Sequence, residues 1–253
     1  MKFFSLAGFL LMVCAIIVGP AFGQSTPEKV QEDDVTNELN DLAEESKDRV
    51  PPKVLEAGKK GTEELRASGI LDSALNVGDR IPRFKLTDAF DNKVSSTKLL
   101  KKGHLVIVFY RGAWCPFCNL YLRGLQRRLP EFREEEANLV AISIEPADKS
   151  LAVAQKNKLN FDVLSDPNLD VARKFGIVYE MPKVTNDAIL EVGFDIAKYN
   201  KMEKAELPLS ATYIVSRKEG KIVYAFLEPD YKKRADPNEM LKVLHDLNAK
   251  KPK

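Results

Sequence analysis

The chain has 253 residues, of which 44% are hydrophobic and 30% charged, which suits one well-buried domain with appended segments rather than two large domains. Its formal net charge is +2, and the longest basic run is Lys232-Lys233-Arg234. This composition gives no support for nucleic-acid binding, so we expect no nucleic-acid partner.

Residues 1–23 have the pattern of a cleaved secretory signal peptide. Lys2 precedes an apolar stretch from Phe3 to Val18, and Ala21-Phe22-Gly23 provides small residues for cleavage. An uncleaved membrane anchor is the alternative, although the apolar stretch is shorter than the roughly 20 residues that span a bilayer. We therefore expect a secreted or periplasmic protein.

Residues 24–76 form a charged extension with sparse apolar positions. The extension contains no aromatic residue, and its acidic residues outnumber its basic residues 13 to 7. The spacing predicts helices over Thr36–Asp48 and Val54–Ser68, separated by Pro51-Pro52. We expect a helical extension that docks loosely outside the core, with a flexible spacer as the alternative.

From Val77 onward, alternating strand and helix patterns predict one domain over residues 77–253. Buried strands are expected at Leu105–Tyr110 and Leu139–Ser143. The other predicted elements are strands at Phe84–Thr87, Val94–Ser95 and Val163–Leu164, helices at Cys115–Phe132, Ala147–Asn157, Leu169–Phe175 and Asn238–Ala249, and a hairpin of Ala211–Val215 with Lys221–Leu227. This order predicts an α/β fold with a central mixed β-sheet flanked by helices.

The segment Met181–Pro208 is additional to that plan. It carries a helix-like stretch from Asp187 to Asn200, between the third helix and the hairpin. We expect this insertion to cover or border the active-site face of the sheet.

Cys115 and Cys118 lie where a buried strand ends in a short turn and a helix begins. A thiol at a helix N-terminus faces unpaired backbone N–H groups and the positive end of the helix dipole, which favour the thiolate. Lowering a cysteine pKa from ~8.5 to roughly 6.5 requires about 2.7 kcal/mol, whereas the dipole supplies about 0.3–1 kcal/mol. Further donors are therefore needed, and Cys118 and Arg111 are the candidates. The pair is a candidate for dithiol/disulfide chemistry.

Neighbouring residues support this redox interpretation of the motif. Pro116 suits the first helical turn, where its missing N–H is not needed, and Trp114 would shield the pair from water. A purely structural disulfide would close a very short loop and add little stability. A zinc site normally needs four ligands, and the only histidines, His104 and His245, are not at ligand spacing from the pair.

Four stretches follow one another in a fixed order along the predicted domain. They are Val77–Phe84, Phe109–Cys118, Leu164–Pro167 followed by Phe175–Ile177, and Ala211–Val215. Together they resemble the peroxiredoxin-like branch (alkyl hydroperoxide reductase/thiol-specific antioxidant) of the thioredoxin fold. The resemblance spans about Val77 to Ala249 and is greatest to the subgroup that carries a Cys-x-x-Cys pair.

The resemblance implies a thioredoxin-like fold and a thiol-dependent peroxidase. In such an enzyme Cys115 would attack a hydroperoxide and form a sulfenic acid, and Cys118 would resolve it as a disulfide. A thioredoxin-like donor would then reduce the disulfide. The resemblance implies neither a cofactor nor a metal ion, and it leaves a homodimer open.

The sequence departs from the family pattern at three positions. The family has a threonine three residues before the peroxidatic cysteine, a proline further upstream and an arginine entering a later strand. Counted from Cys115, these positions are occupied by Gly112, Val108 and Ser210. We expect Arg111 to supply the missing positive charge, and Gly112 is a supporting residue of the site with Trp114 and Pro116.

Two other functions remain open on the same fold. A thioredoxin-like thiol–disulfide oxidoreductase acting on protein disulfides would use the same pair, and the missing threonine favours it. A copper-handling protein is the other, although such relatives have a wider cysteine spacing and a distal histidine, whereas His245 lies in a predicted helix. Glu145, just after a central strand, is expected to be a solvated loop acid.

Overall fold

A computed structural model describes residues 34–249 of the chain. Its strands are β1 Lys85–Asp88, β2 Lys93–Ser95, β3 His104–Phe109, β4 Ala137–Ser143, β5 Asp162–Ser165, β6 Val178–Glu180, β7 Glu206–Pro208, β8 Thr212–Val215 and β9 Ile222–Phe226. Its helices are α1 Val35–Arg49, α2 Pro52–Ala67, α3 Ile70–Ser73, α4 Ser96–Lys102, α5 Pro116–Arg127, α6 Leu129–Glu134, α7 Ala147–Lys156, α8 Asp170–Lys174, α9 Lys183–Glu191, α10 Ile196–Asn200 and α11 Pro237–Ala249.

The expected signal peptide of residues 1–23 lies outside the described residues. Within residues 34–249, none of the helices is both long and apolar enough to cross a membrane.

Seven strands form the central sheet in the order β2-β1-β5-β4-β3-β8-β9. Strands β3, β4 and β5 are parallel to one another, whereas β1 and β8 pair antiparallel to their inner neighbours. The expected α/β fold with a mixed central sheet is confirmed. Because β3, β4 and β5 are parallel, their carboxyl ends share one edge of the sheet, and the cysteine motif follows β3 at that edge.

The alternation of side chains along β3 divides the core into two layers. Leu105, Ile107 and Phe109 point into one cluster, while Val106 and Val108 point into the other. All five are buried, so helices must cover both faces of the sheet. Helices α5 and α11 cover the second face, where the cysteines also lie.

The extension forms the helices α1 and α2. The expectation that it docks loosely outside the core is wrong, because residues of both helices are buried in the core. Val35 and Leu39 are buried in the same cluster as the residues of α5, and Leu65 is buried in the opposite cluster. Val35 lies against Gly124 of α5, where any larger side chain would overlap it. Val35, Leu39 and Leu65 of the extension thus pack into the core, which their sparse spacing did not reveal.

Several elements differ from the predicted ones for local reasons. The long helix predicted from Cys115 is divided into α5 and α6, because Pro130 begins a new helix. The helix predicted within the insertion is divided into α9 and α10 by Gly193, whose φ of +87° lies in the left-handed region. Four short elements were not predicted: α3, α4, β6 and β7.

The contact of α1 with α5 should contribute measurably to folding stability. Val35 is 1% exposed and Val77 is 60% exposed, so the two valines form a matched pair. Val35→Ala should lower the free energy of unfolding by about 1.5–3 kcal/mol, because it removes two buried methyl groups and leaves a cavity. Val77→Ala should change it by less than about 0.5 kcal/mol. Urea denaturation measures both, and equal effects would mean that α1 is not docked in solution.

Candidate active site

The cysteine pair is placed by the junction between β3 and α5. Cys115 is the N-cap residue of α5, with extended backbone angles, and Pro116 begins the helix as predicted. Cys118 lies in the first helical turn. Both are free thiols and both are only 1% exposed.

The turn before the helix requires a glycine at position 112. Its φ is +142°, a conformation that side-chain-bearing residues rarely adopt. A Cβ atom there would lie 2.6 Å from Nε1 of Trp114 and 3.2 Å from Cδ of Glu145. Gly112 therefore allows the turn to pack directly against both side chains.

Arg111 is buried in the turn as a cation without a carboxylate partner among the described residues. It is 4% exposed, and its guanidinium carbon lies 4.8 Å from the Trp114 ring centre and 4.2 Å from that of Tyr231. Burial opposes its charge, but the nearby Tyr179 phenol and Cys115 thiol hold the pKa of Arg111 above its ordinary value. Arg111 is thus a positive charge near the pair, and its catalytic role stays a prediction.

A second buried arginine, Arg234, was not predicted. It is 7% exposed, and its Nη2 atom donates a hydrogen bond of 3.4 Å to Sγ of Cys118. Its Nη1 atom donates to the backbone oxygens of Tyr231 and Lys233, which fixes the guanidinium in place. The sequence showed Arg234 only as the end of a basic run, 116 positions from Cys118.

The charges at the site favour a thiolate at Cys118 rather than at Cys115. Burial raises the pKa of Cys118, but the hydrogen bond from the Cys115 thiol and the charge of Arg234 outweigh burial and lower it to about 5. A backbone hydrogen bond from Arg111 acts in the same direction. Burial and the hydrogen bond to Cys118 raise the pKa of Cys115 well above its ordinary value. The thiolate predicted at Cys115 stays a prediction, whereas the donors that the structure places around the pair converge on Cys118.

Glu145 is part of the site and is not the solvated acid that we expected. Its side chain is fully buried at the end of β4. Its Oε2 atom accepts a hydrogen bond of 2.8 Å from the backbone N–H of Ala113, and its Oε1 atom accepts one of 3.1 Å from the Tyr199 hydroxyl. Burial nevertheless raises the pKa of Glu145.

The insertion borders the site, as expected from the sequence. The Phe194 ring lies 5.4 Å from the Trp114 ring and 5.5 Å from the Tyr199 ring, measured between centroids. Trp114 therefore contacts both Phe194 of the insertion and Arg111.

A small cavity lies on the Arg111 side of the site and is not lined by either cysteine. A cavity of about 20 Å³ adjoins Arg111, between α2, the insertion and the segment that carries Tyr231. A cavity of this size holds about one water molecule. Within residues 34–249, no three His, Cys, Asp or Glu side chains are placed to hold a metal ion together. The chemistry that the site offers is that of a buried thiolate beside two guanidinium groups.

Known proteins with similar sequences are peroxiredoxins. A family model described as the AhpC/TSA family matches residues 77–225. Peroxiredoxin Bcp of Escherichia coli is 32% identical over 132 residues, which cover 51% of this chain and 83% of the relative. A putative peroxiredoxin of Mycobacterium tuberculosis is 30% identical over 146 residues, which cover 56% and 92%.

Solved structures of peroxiredoxins share the fold. Peroxidoxin BcpB of Mycobacterium tuberculosis aligns with a TM-score of 0.53 at 21% identity, over 70% of this chain and 99% of that one. A cysteine-to-serine mutant of peroxiredoxin 6 of Arenicola marina aligns with a TM-score of 0.55 at 17% identity, over 70% and 76%. The expected thioredoxin-like fold is confirmed, and the subgroup with a Cys-x-x-Cys pair stays a prediction.

Replacement of Arg234 should weaken the thiolate at Cys118. In the unchanged protein, the ultraviolet absorbance of the thiolate should fall as the pH is lowered, with a midpoint near the pKa of about 5. Arg234→Met removes the donor and its charge, so the midpoint should rise by about one to three pH units. The control Arg173→Met removes an arginine that pairs with Glu206 at the surface, and it should leave the midpoint unchanged. An equal midpoint in Arg234→Met would contradict the assignment.

Proposed function

The chain belongs to the AhpC/TSA family and is a thiol-dependent peroxidase, and we propose that its reaction proceeds through Cys115 and Cys118 on hydrogen peroxide and organic hydroperoxides. The observation that carries this proposal is a buried thiol pair beside two guanidinium groups. Such a site stabilises a nucleophilic thiolate in the reduced protein.

The relatives, rather than the burial of the pair, favour peroxide over protein disulfides as the oxidising substrate. Both cysteines are buried, and Arg111 beside them lies against the rings of Trp114 and Tyr231. A protein dithiol that reduces the pair must reach the same sulfur atoms, so burial by itself does not separate the two functions. The similarity to proteins named peroxiredoxins supports peroxide.

We assign the attack to Cys118 and the resolving step to Cys115. The Cys118 thiolate attacks the terminal oxygen of the hydroperoxide, the O–O bond breaks, and the leaving oxygen takes a proton and departs as water or alcohol. The Cys118 sulfenic acid is then attacked by the Cys115 sulfur, which releases water and forms the disulfide.

The family pattern is consistent with this order of attack. Counted back from Cys118, the threonine position of the family is occupied by Cys115 and the upstream proline position by Arg111. A thiol at the threonine position donates a hydrogen bond to the neighbouring sulfur, as the pKa shifts of the pair indicate. Counting back from Cys118 changes the departures at these two positions but does not remove them, since a cysteine replaces the threonine and an arginine replaces the proline.

A thioredoxin-like dithiol donor would close the cycle. It supplies the two electrons that reduce the Cys115–Cys118 disulfide and becomes a disulfide itself. Because the pair is buried, we expect the turn around Trp114 to open during this exchange. A homodimer stays a prediction, which analytical ultracentrifugation would test.

Substitution of each cysteine should separate attack from resolution. Trp114, the only tryptophan, stacks on Arg111 and reports on the pair by its fluorescence. In stopped flow with one equivalent of peroxide, Cys118→Ser should lose rapid oxidation. Cys115→Ser should still be oxidised and should accumulate a sulfenic acid that dimedone traps at Cys118.

Other outcomes would change the proposal in defined ways. A trapped sulfenic acid at Cys115 in Cys118→Ser would restore Cys115 as the attacking residue. Slow oxidation of the unchanged protein, with rapid exchange against a protein disulfide, would instead support the thioredoxin-like oxidoreductase.

We further propose that the mature protein is secreted or periplasmic, on the basis of residues 1–23. If so, expression of the full chain with its native N-terminus should give a mature protein that begins at Gln24. N-terminal sequencing of the purified protein measures this. An intact Met1 in the cytosolic fraction would contradict the proposal.

A further inference from the structure

We propose that Glu145 is a positioning residue, which fixes the active-site turn at Gly112 and Ala113 and is itself held by Tyr199 of the insertion. This inference rests on the peroxidase function proposed above and adds a role for two residues outside the cysteine motif. We call the two hydrogen bonds from Ala113 and Tyr199 to Glu145 the carboxylate clamp.

Glu145 is fully buried, so its hydrogen-bond partners must replace the water that it has lost. A carboxylate removed from water is stable only where donors replace its hydration, and here the Ala113 N–H and the Tyr199 hydroxyl do so at 2.8 and 3.1 Å. Lys149 adds positive charge, since its Nζ atom lies 3.3 Å from the Tyr199 ring centre and donates to the backbone oxygen of Tyr199. The Tyr110 phenol and the Cys118 thiol are the other ionisable groups that face Glu145.

The clamp acts on the part of the turn that stabilises the thiolate. Arg111 directly precedes the clamped turn, and its positive charge favours a thiolate at Cys118. Gly112 accepts a hydrogen bond of 3.2 Å from the Cys115 N–H, and Asn119, next to Cys118, donates one of 2.7 Å to the Ala113 oxygen. Gly112 also packs against both Glu145 and Trp114 without room for a side chain. A shift of the turn would therefore move Arg111 relative to the two sulfur atoms.

The insertion that supplies Tyr199 is itself held firmly. Thr185 of α9 donates a hydrogen bond of 2.9 Å to the backbone oxygen of Ala57 in α2. Gly61 of α2 has no room for a Cβ atom beside Thr185, so the two helices are in close contact. Helix α2, the insertion and Glu145 thus form a continuous series of contacts that ends at the active-site turn.

Charge and position have opposite effects on Cys118, which makes the inference testable. The negative charge of Glu145 alone disfavours a thiolate nearby, because like charges repel. The clamp favours the thiolate, because it fixes the turn that joins Arg111 to the cysteine pair through the hydrogen bonds of Gly112 and Ala113. A variant that loses only the clamp should therefore behave differently from one that loses only the charge.

Four variants of the full chain separate the two effects. Tyr199→Phe keeps the charge and removes one bond of the clamp. Glu145→Gln removes the charge and keeps a side chain that can bond to both partners, whereas Glu145→Ala removes charge and clamp together. Tyr224→Phe is the matched control, because it removes a tyrosine hydroxyl that contacts Glu239 at 3.4 Å, away from the site.

The thiolate titration and the peroxide oxidation rate are measured for each variant. Tyr199→Phe should raise the pKa of Cys118 and slow oxidation, by up to the roughly hundredfold that a misplacement of about 1 Å causes. Glu145→Ala should have a higher Cys118 pKa and a slower reaction than Glu145→Gln, whose Cys118 pKa should fall below that of the unchanged protein because the like charge is lost while the contacts remain. Tyr224→Phe should match the unchanged protein.

The results that would contradict the positioning role of Glu145 differ from those that would contradict the proposed peroxidase function. An unchanged Cys118 pKa in Tyr199→Phe, or equal values for Glu145→Ala and Glu145→Gln, would overturn the positioning role. If Glu145→Ala does not fold, as judged by circular dichroism, Tyr199→Phe decides alone. If the unchanged protein does not react with peroxide, the proposed function fails, but the thiolate titration still tests the clamp.

Discussion

The site depends on two positive charges buried beside the thiol pair. Arg111 and Arg234 are both largely removed from water, where an unpaired charge is strongly unfavourable. The aromatic rings of Trp114 and Tyr231 offset part of that penalty for Arg111, and a thiolate at Cys118 provides the matching negative charge. The thiolate and the two arginines therefore stabilise one another, and the surrounding segments bury the side chains of all three residues.

Segments outside the matched family region build much of this environment. Arg234 follows residue 225, where the family match ends, and α1 and α2 precede residue 77, where it begins. Helix α1 packs on the helix that carries Cys118, and α2 packs on the insertion. The shared fold places the cysteines after the end of β3. The added segments determine which charged and which bulky side chains surround them.

Local sequence patterns made the fold and the cysteine motif predictable. Contacts between segments that are distant in the chain could not be predicted in this way. The apolar run at β3 and the proline after Cys115 specify a strand, a turn and a helix start without further information. Nothing near Arg234 indicates that its guanidinium turns inward to Cys118. Glu145 looked like an ordinary loop acid, because its burial comes from α10, a helix whose position the sequence does not encode locally.

The paired arginines also affect the reduction potential of the cysteines. In the proposed cycle, formation of the disulfide removes the thiolate and leaves Arg111 and Arg234 charged with no anion at the sulfur atoms. Whatever stabilises the thiolate stabilises the reduced pair relative to the disulfide, so the couple becomes more oxidising as the Cys118 pKa falls. The same charges that make the thiolate available for oxidation thus make the resulting disulfide easy to reduce, which favours rapid turnover over a long-lived oxidised state.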